Sequence, residues 1–189
     1  MELVVVGASW GGLHAIGTLL DSLPDALDAP IVIAQHRTAD PRADGLSALL
    51  RTHTKRTLCE PDDKQELEPR KVYLAPSDYH LLVERGSLAL SLEARVQYSR
   101  PSIDVLFETA ADAYGSGVVA VVLTGANDDG ARGAAAVARA GGTVVVEDPA
   151  TAERPEMPRA ALELVPSALV RPLEAIGETL GALAAGSLA

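Results

Sequence analysis

Ser9 lies in Gly7-Ala8-Ser9-Trp10-Gly11-Gly12, directly after the apolar run Leu3-Val4-Val5-Val6. A buried strand that ends in G-x-S-x-G and turns sharply into a helix presents its serine as a nucleophile. The glycines permit the tight turn, and the helix start offers free N–H groups to an oxyanion. A hydroxyl also needs an imidazole to take its proton, and the imidazole needs a carboxylate to fix its tautomer. His36 follows Ile31-Val32-Ile33-Ala34-Gln35, and Asp128 and Asp129 follow Val118–Leu123 through Thr124-Gly125-Ala126-Asn127. Ser9, His36 and one of these aspartates supply the residue types of a serine hydrolase in the order Ser, His, Asp. α/β-hydrolases place the acid before the histidine, so the order excludes that fold but not the chemistry.

The elements that must position these residues are legible as apolar runs at Leu3–Val6, Ile31–Ala34, Val72–Ala75, Val118–Leu123 and Thr143–Val146. Their continuous hydrophobicity predicts strands covered on both faces, as in a parallel sheet. Helical segments are expected at Leu13–Leu20, Gly45–Thr52, Ile103–Tyr114, Gly130–Ala140 and Glu174–Ala185. The alternation reads as α/β, a doubly wound, mostly parallel sheet with helices on both faces. Val/Leu patterning on both sides of Glu84-Arg85-Gly86 adds an antiparallel hairpin, expected at one edge of the sheet. Ligands gather at the carboxyl ends of strands in such sheets, where Ser9, His36 and the Asp128-Asp129 loop all fall.

Composition narrows the function classes. A chain of 189 residues with 48% hydrophobic residues is expected to form a single domain spanning 1–189. Its net charge of -10 is the wrong footprint for a nucleic-acid or anionic-membrane partner. No apolar stretch approaches the ~20 residues of a membrane span, and no leader precedes the first strand, so a cytoplasmic location is expected without membrane insertion. One cysteine and four scattered histidines give neither an intrachain disulfide nor metal-ligand spacing. No cofactor is expected. The dinucleotide fingerprint is approached by Gly7-x-Ser9-x-x-Gly12, but its second glycine is a serine, and the next strand ends in Ala34-Gln35-His36 without an acidic residue.

Gly7-Ala8-Ser9-x-Gly11-Gly12, Gln35-His36, Leu74-Ala75-Pro76-x-Asp78-x-His80-Leu81, Arg100-Pro101-Ser102-Ile103-Asp104, Leu123-Thr124-Gly125-x-x-Asp128-Asp129-Gly130-Ala131 and Met157-Pro158 occur in one order along the chain. That series resembles the catalytic domain of the CheB-type chemotaxis protein-glutamate methylesterases, over residues 2 to about 180. The resemblance implies hydrolysis of glutamate methyl esters on the cytoplasmic helices of chemoreceptors, with release of methanol and, in many members, deamidation of receptor glutamines. It implies Ser9 as nucleophile, His36 as general base and Asp129 as the orienting carboxylate. Members often carry a receiver domain ahead of the esterase. Here the first strand begins two residues after Met1, so either the receiver is absent or the sequence is a piece of a longer protein; a receiver domain or signalling partner in trans is among the partners the resemblance implies.

The chain departs from the family at Ala126 and Asn127, where relatives carry Met and Gly in a loop that resembles an oxyanion-hole contributor. Backbone N–H donors survive a side-chain change, so Trp10 and Ala126 are the expected oxyanion donors. The departure also leaves room for a catalytically retired scaffold of the same fold, and a nucleotide-binding module is the rival from another class. The Trp10 ring has two readings, packed on the sheet edge or walling the ester pocket. Arg100 and Ser102 line the substrate cleft or simply connect a strand to a helix, with Ser102 as N-cap. Arg37, Arg42, Arg51, Lys55 and Arg56 outnumber Asp40 and Asp44 in the segment leaving His36. The bland reading is a solvated helix face; the sharper one is a docking surface for an acidic receptor helix, with Arg51 and Lys55 as contacts. His14, His53, His80 and Cys59 are read as structural.

Overall fold

The computed structural model describes residues 1–37 and 45–188. Seven strands form one parallel sheet: β1 (Leu3–Ala8), β2 (Ile31–Gln35), β3 (Leu58–Cys59), β4 (Val72–Leu74), β7 (Val118–Val122), β8 (Thr143–Glu147) and β9 (Leu169–Arg171). Their order is β3-β4-β2-β1-β7-β8-β9. The chain winds outward from β1 in one direction and from β7 in the other. The crevice between β1 and β7 is thus the point where loops diverge and leave room for a ligand.

Every residue of β1, β2 and β7 is buried, which is why these runs are continuously apolar. Successive side chains alternate between the two faces. Leu3 and Val5 point into a core shared with α3 (Ile103–Tyr114), α4 (Ala131–Arg139) and α5 (Glu156–Leu164). Val4, Val6 and Ala8 point into the other, shared with α1 (Gly12–Ser22) and α6 (Leu173–Ala184). α2 (Gly45–Leu50) continues into a short 3-10 turn, Arg51–His53. The antiparallel hairpin forms from β5 (His80–Glu84) and β6 (Ser87–Ser91) as a two-stranded sheet of its own, packed on the α3 side. The seven-stranded sheet is therefore wholly parallel.

Candidate active site

Ser9 follows β1 and His36 follows β2, and the parallel register of these strands brings the two residues side by side. His36 N–H donates to the Ala8 carbonyl (3.0 Å) and Ser9 N–H to the Thr124 carbonyl (3.0 Å). The Gln35 amide donates to the carbonyls of both Ser9 (2.8 Å) and His36 (2.9 Å), fixing one backbone against the other. Gly11, at φ 78, makes the turn into α1. A Cβ on Gly12 would lie 2.0 Å from Gln35 Oε1, so a glycine is needed for α1 to start this close to β2.

His36 Nδ1 lies 3.1 Å from Ser9 Oγ, and its Nε2 lies 2.7 Å from Asp129 Oδ2. A carboxylate can only accept, so Nε2 carries the ring proton and Nδ1 keeps its lone pair toward the serine hydroxyl. Asn127, at one of the positions that departs from the family pattern, places its amide nitrogen 3.4 Å from the same Nδ1. Neither Ala126 nor Asn127 adopts a positive φ, so the backbone at these two positions does not call for a glycine.

Asp129 is fully buried, while Asp128 is exposed. Its carboxylate sits on the N-terminus of α3. Oδ1 accepts from Ser102 Oγ (2.9 Å) and Asp104 N–H (2.9 Å), and Oδ2 accepts from Ile103 N–H (2.8 Å) as well as from His36. Burial pushes this carboxyl up, but the His36 ring and the Asp104 and Ile103 N–H groups outweigh it and hold it below the usual carboxylate range. The arrangement is returned in kind: Asp104, in the first turn of α3, accepts from Gly130 N–H and Gly133 N–H (both 2.9 Å) at the start of α4. Each helix N-terminus thus receives a carboxylate from the other segment, the charge that its free N–H groups favour.

Ser102 is the N-cap of α3, accepting from Val105 N–H. It is fully buried, which corrects the expectation of a substrate contact: its hydroxyl faces Asp129. His80, also buried, accepts from Ser102 N–H (3.2 Å) and donates to the Ala94 carbonyl (3.1 Å), extending this support. Sequence reasoning found Ser102 as a cap but missed its bond to Asp129 and the part played by Asp104. A cap serine followed two residues later by an aspartate was the only signal.

Opposite the aspartate, the loop after β7 presses on Ser9. A Cβ on Gly125 would lie 2.9 Å from Ser9 Cβ and 1.9 Å from Met157 Sδ, so this glycine lets the loop approach the serine. The Thr124 hydroxyl donates to the Trp10 carbonyl (3.0 Å) and accepts from Arg154 N–H (2.8 Å). Thr124 N–H donates to buried Glu147 Oε2 (2.7 Å). Burial pushes the Glu147 carboxyl up, with Glu174 adding to the shift and the Thr124 N–H opposing it. Trp10 and Ala126, the expected oxyanion donors, flank Ser9 and Gly125. The Trp10 ring is 59% exposed, donates to Glu153 Oε1 (3.1 Å) and carries the Arg154 guanidinium 5.3 Å from its centre. It is not packed on the sheet edge.

The remaining predicted contacts separate. Arg100 is committed to protein partners, namely Asp78 and the carbonyls of Leu92 and Glu93. Arg51 Nε donates to the Leu58 carbonyl. Lys55 lines a cavity with Thr57, Pro69 and Lys71, which precede β3 and β4. It therefore stands toward the amino edge of the sheet. Asp40, Arg42 and Asp44 lie outside the described residues. A groove of about 450 Å³ opens at Ser9 and runs past Leu13, His14, His53 and Glu153. Among the described residues no His/Cys/Asp/Glu cluster could hold a metal, and no helix is long and apolar enough to cross a membrane.

A family model described as CheB methylesterase matches residues 4–180. A Leptospira interrogans protein named for protein-glutamate methylesterase and protein-glutamine glutaminase activities is 44% identical over 179 residues, which cover 94% of this chain and 92% of that protein. Protein-glutamate methylesterase/protein-glutamine glutaminase 5 of Myxococcus xanthus is 42% identical over 166 residues, 86% of this chain but 47% of its own length. The crystal structure of the Thermotoga maritima CheB methylesterase catalytic domain superposes with a TM-score of 0.90 at 34% identity, covering 96% of this chain and 98% of that one.

Proposed function

We propose, from the premise that this chain belongs to the CheB methylesterase family, that it hydrolyses γ-methyl esters of protein glutamates with Ser9 as nucleophile, His36 as base and Asp129 as orienting acid. The observation that carries the assignment of roles is the unbroken chain from Ser9 Oγ to His36 Nδ1 (3.1 Å) and from His36 Nε2 to Asp129 (2.7 Å). His36 takes the serine proton as Oγ attacks the ester carbonyl, and Asp129 stabilises the imidazolium. The backbone N–H groups of Trp10 and Ala126 receive the oxyanion. Collapse expels the methoxy group, which leaves as methanol with the proton from His36. Water then repeats the attack on the acyl-Ser9 ester, its proton passing through His36, and the glutamate carboxylate departs.

The same geometry serves an amide with ammonia as leaving group, in line with the second activity in the relatives' names. The substrates are methylated chemoreceptor helices, reached alone or with a signalling partner. The nucleotide-binding reading draws no support from the family match, and the intact hydrogen-bond chain argues against a retired scaffold. Methanol release from a methylated receptor fragment tests the proposal: Ser9→Ala abolishes it while leaving the fold intact, and a variant as active as wild type would remove Ser9 from the mechanism.

A further inference from the structure

A cation outside the basic segment after His36 stands over Trp10, the residue that follows the nucleophile. Arg154 is fixed by its backbone to the loop that presses on Ser9: its N–H donates to Thr124 Oγ1 (2.8 Å), and its carbonyl accepts from Gly125 N–H (3.1 Å). Its guanidinium lies over the ring of Trp10, the residue after Ser9. That ring is itself aimed by the Trp10 Nε1–H bond to Glu153, so a cation–π contact sets the charge at the lip of the site. Arg37, Arg100 and Arg132, on the same edge of the sheet, are each paired with a carboxylate. Among the described residues Arg154 has no such pair, and the nearest carboxylate in sequence, Glu153, is turned to the indole.

We infer that Arg154 is a specificity-determining residue whose guanidinium, carried on Trp10 beside Ser9, recognises a carboxylate on the substrate segment flanking the esterified glutamate. The inference rests on the methylesterase reading. On a helical substrate, residues three or four positions from the ester share its face with Cβ atoms about 5–6 Å away. An unmodified or already hydrolysed glutamate there meets the guanidinium while the ester occupies Ser9. Arginine suits the task, because its planar fork stacks on an indole and still offers N–H donors to a carboxylate. The site then favours esters set among free glutamates, the surroundings that its own product creates.

Two helical peptides, each with one glutamate γ-methyl ester and either glutamate or alanine four residues to each side, test this in competition. The wild-type protein is expected to favour the acidic peptide in kcat/KM by roughly two- to fivefold at low ionic strength, the scale of an exposed ion pair. High salt removes the preference. Arg154→Gln brings the ratio to unity and Arg154→Glu inverts it. The ratio is internal to each sample, so a partly misfolded variant does not distort it, and the wild-type ratio with its salt dependence stands without any variant. An equal rate on both peptides in the wild type, or an unchanged ratio in Arg154→Gln, overturns the role of Arg154 and leaves the esterase reading in place. Failure to cleave either peptide overturns both.

Discussion

Asp129 is fully buried and its oxygens accept four hydrogen bonds, from Ser102, Ile103, Asp104 and His36. Trp10, one residue from Ser9, is 59% exposed, with a ring held by one hydrogen bond and one stacked guanidinium. The two ends of one proposed machine are thus built on different plans. The acid end is dry and over-determined, because an orienting carboxylate works only if its geometry does not vary. The ester end is open and lightly tethered, because it has to admit a segment of another protein.

The largest effect that breaks the comparison is at the acid. Asp129→Asn should lower turnover by up to ~10⁴-fold through the wrong histidine tautomer, and Asp128→Asn should leave it near wild type. Steady-state kinetics on a small ester give the ranking, and the reverse order would reassign the acid. Asp129 also contributes to stability with a definite sign. Its folded pKa is depressed, so the contribution is complete above the ordinary carboxylate value of about 3.9 and is lost as pH falls through the lower folded value. The stability gap between wild type and Asp129→Asn should therefore close in acid.

Ser102→Ala should act next, removing the cap of α3 and one donor to Asp129 together. Denaturant titration is expected to show a loss of about 1–2 kcal/mol, with a fall in turnover well short of that of Asp129→Asn. Unchanged stability with a large rise in KM would return Ser102 to the substrate cleft. The smallest effect sharpens the contrast from behind the loop. The Glu147 carboxyl is raised in the fold, so its contribution is complete below about 4.3 and declines as pH rises through the folded value. Glu147→Gln retains an acceptor for Thr124 N–H and should gain stability relative to wild type between pH 4 and 8. A gap that does not change with pH would remove burial as the cause.

The fold was readable wherever burial on both faces made a run continuous, as in β1, β2, β4, β7 and β8, or where caps framed a helix, as in α3. β3 and β9 were missed because two and three residues carry no period, and β9 is only partly covered. α5 was missed because its buried face is only Met157, Pro158 and Ala161 amid polar residues. At the site, strand-end logic picked out Ser9, His36 and the Asp128-Asp129 pair, since the position of a residue after a strand is a topological fact, and the family resemblance chose Asp129 between the two. Substrate-facing charge was not legible in the same way. Lys55 is placed among residues that precede β3 and β4, and Arg154 is tied to the Ser9 loop through Trp10 and Thr124, which lie far from it along the chain.

The exchange of carboxylates between the starts of α3 and α4 has a consequence for how such a protein decays under mutation. Asp129 and Asp104 each close a helix that belongs to the other, so losing either uncovers buried N–H groups and threatens the fold whether or not any ester is cleaved. Ser9 is under no such obligation, because its hydroxyl contributes chemistry and little packing. When selection for hydrolysis lapses, the serine is free to drift while foldability alone preserves the aspartate. An inactive descendant of this architecture is therefore identified at the nucleophile, and an intact Asp129 is no testimony to activity.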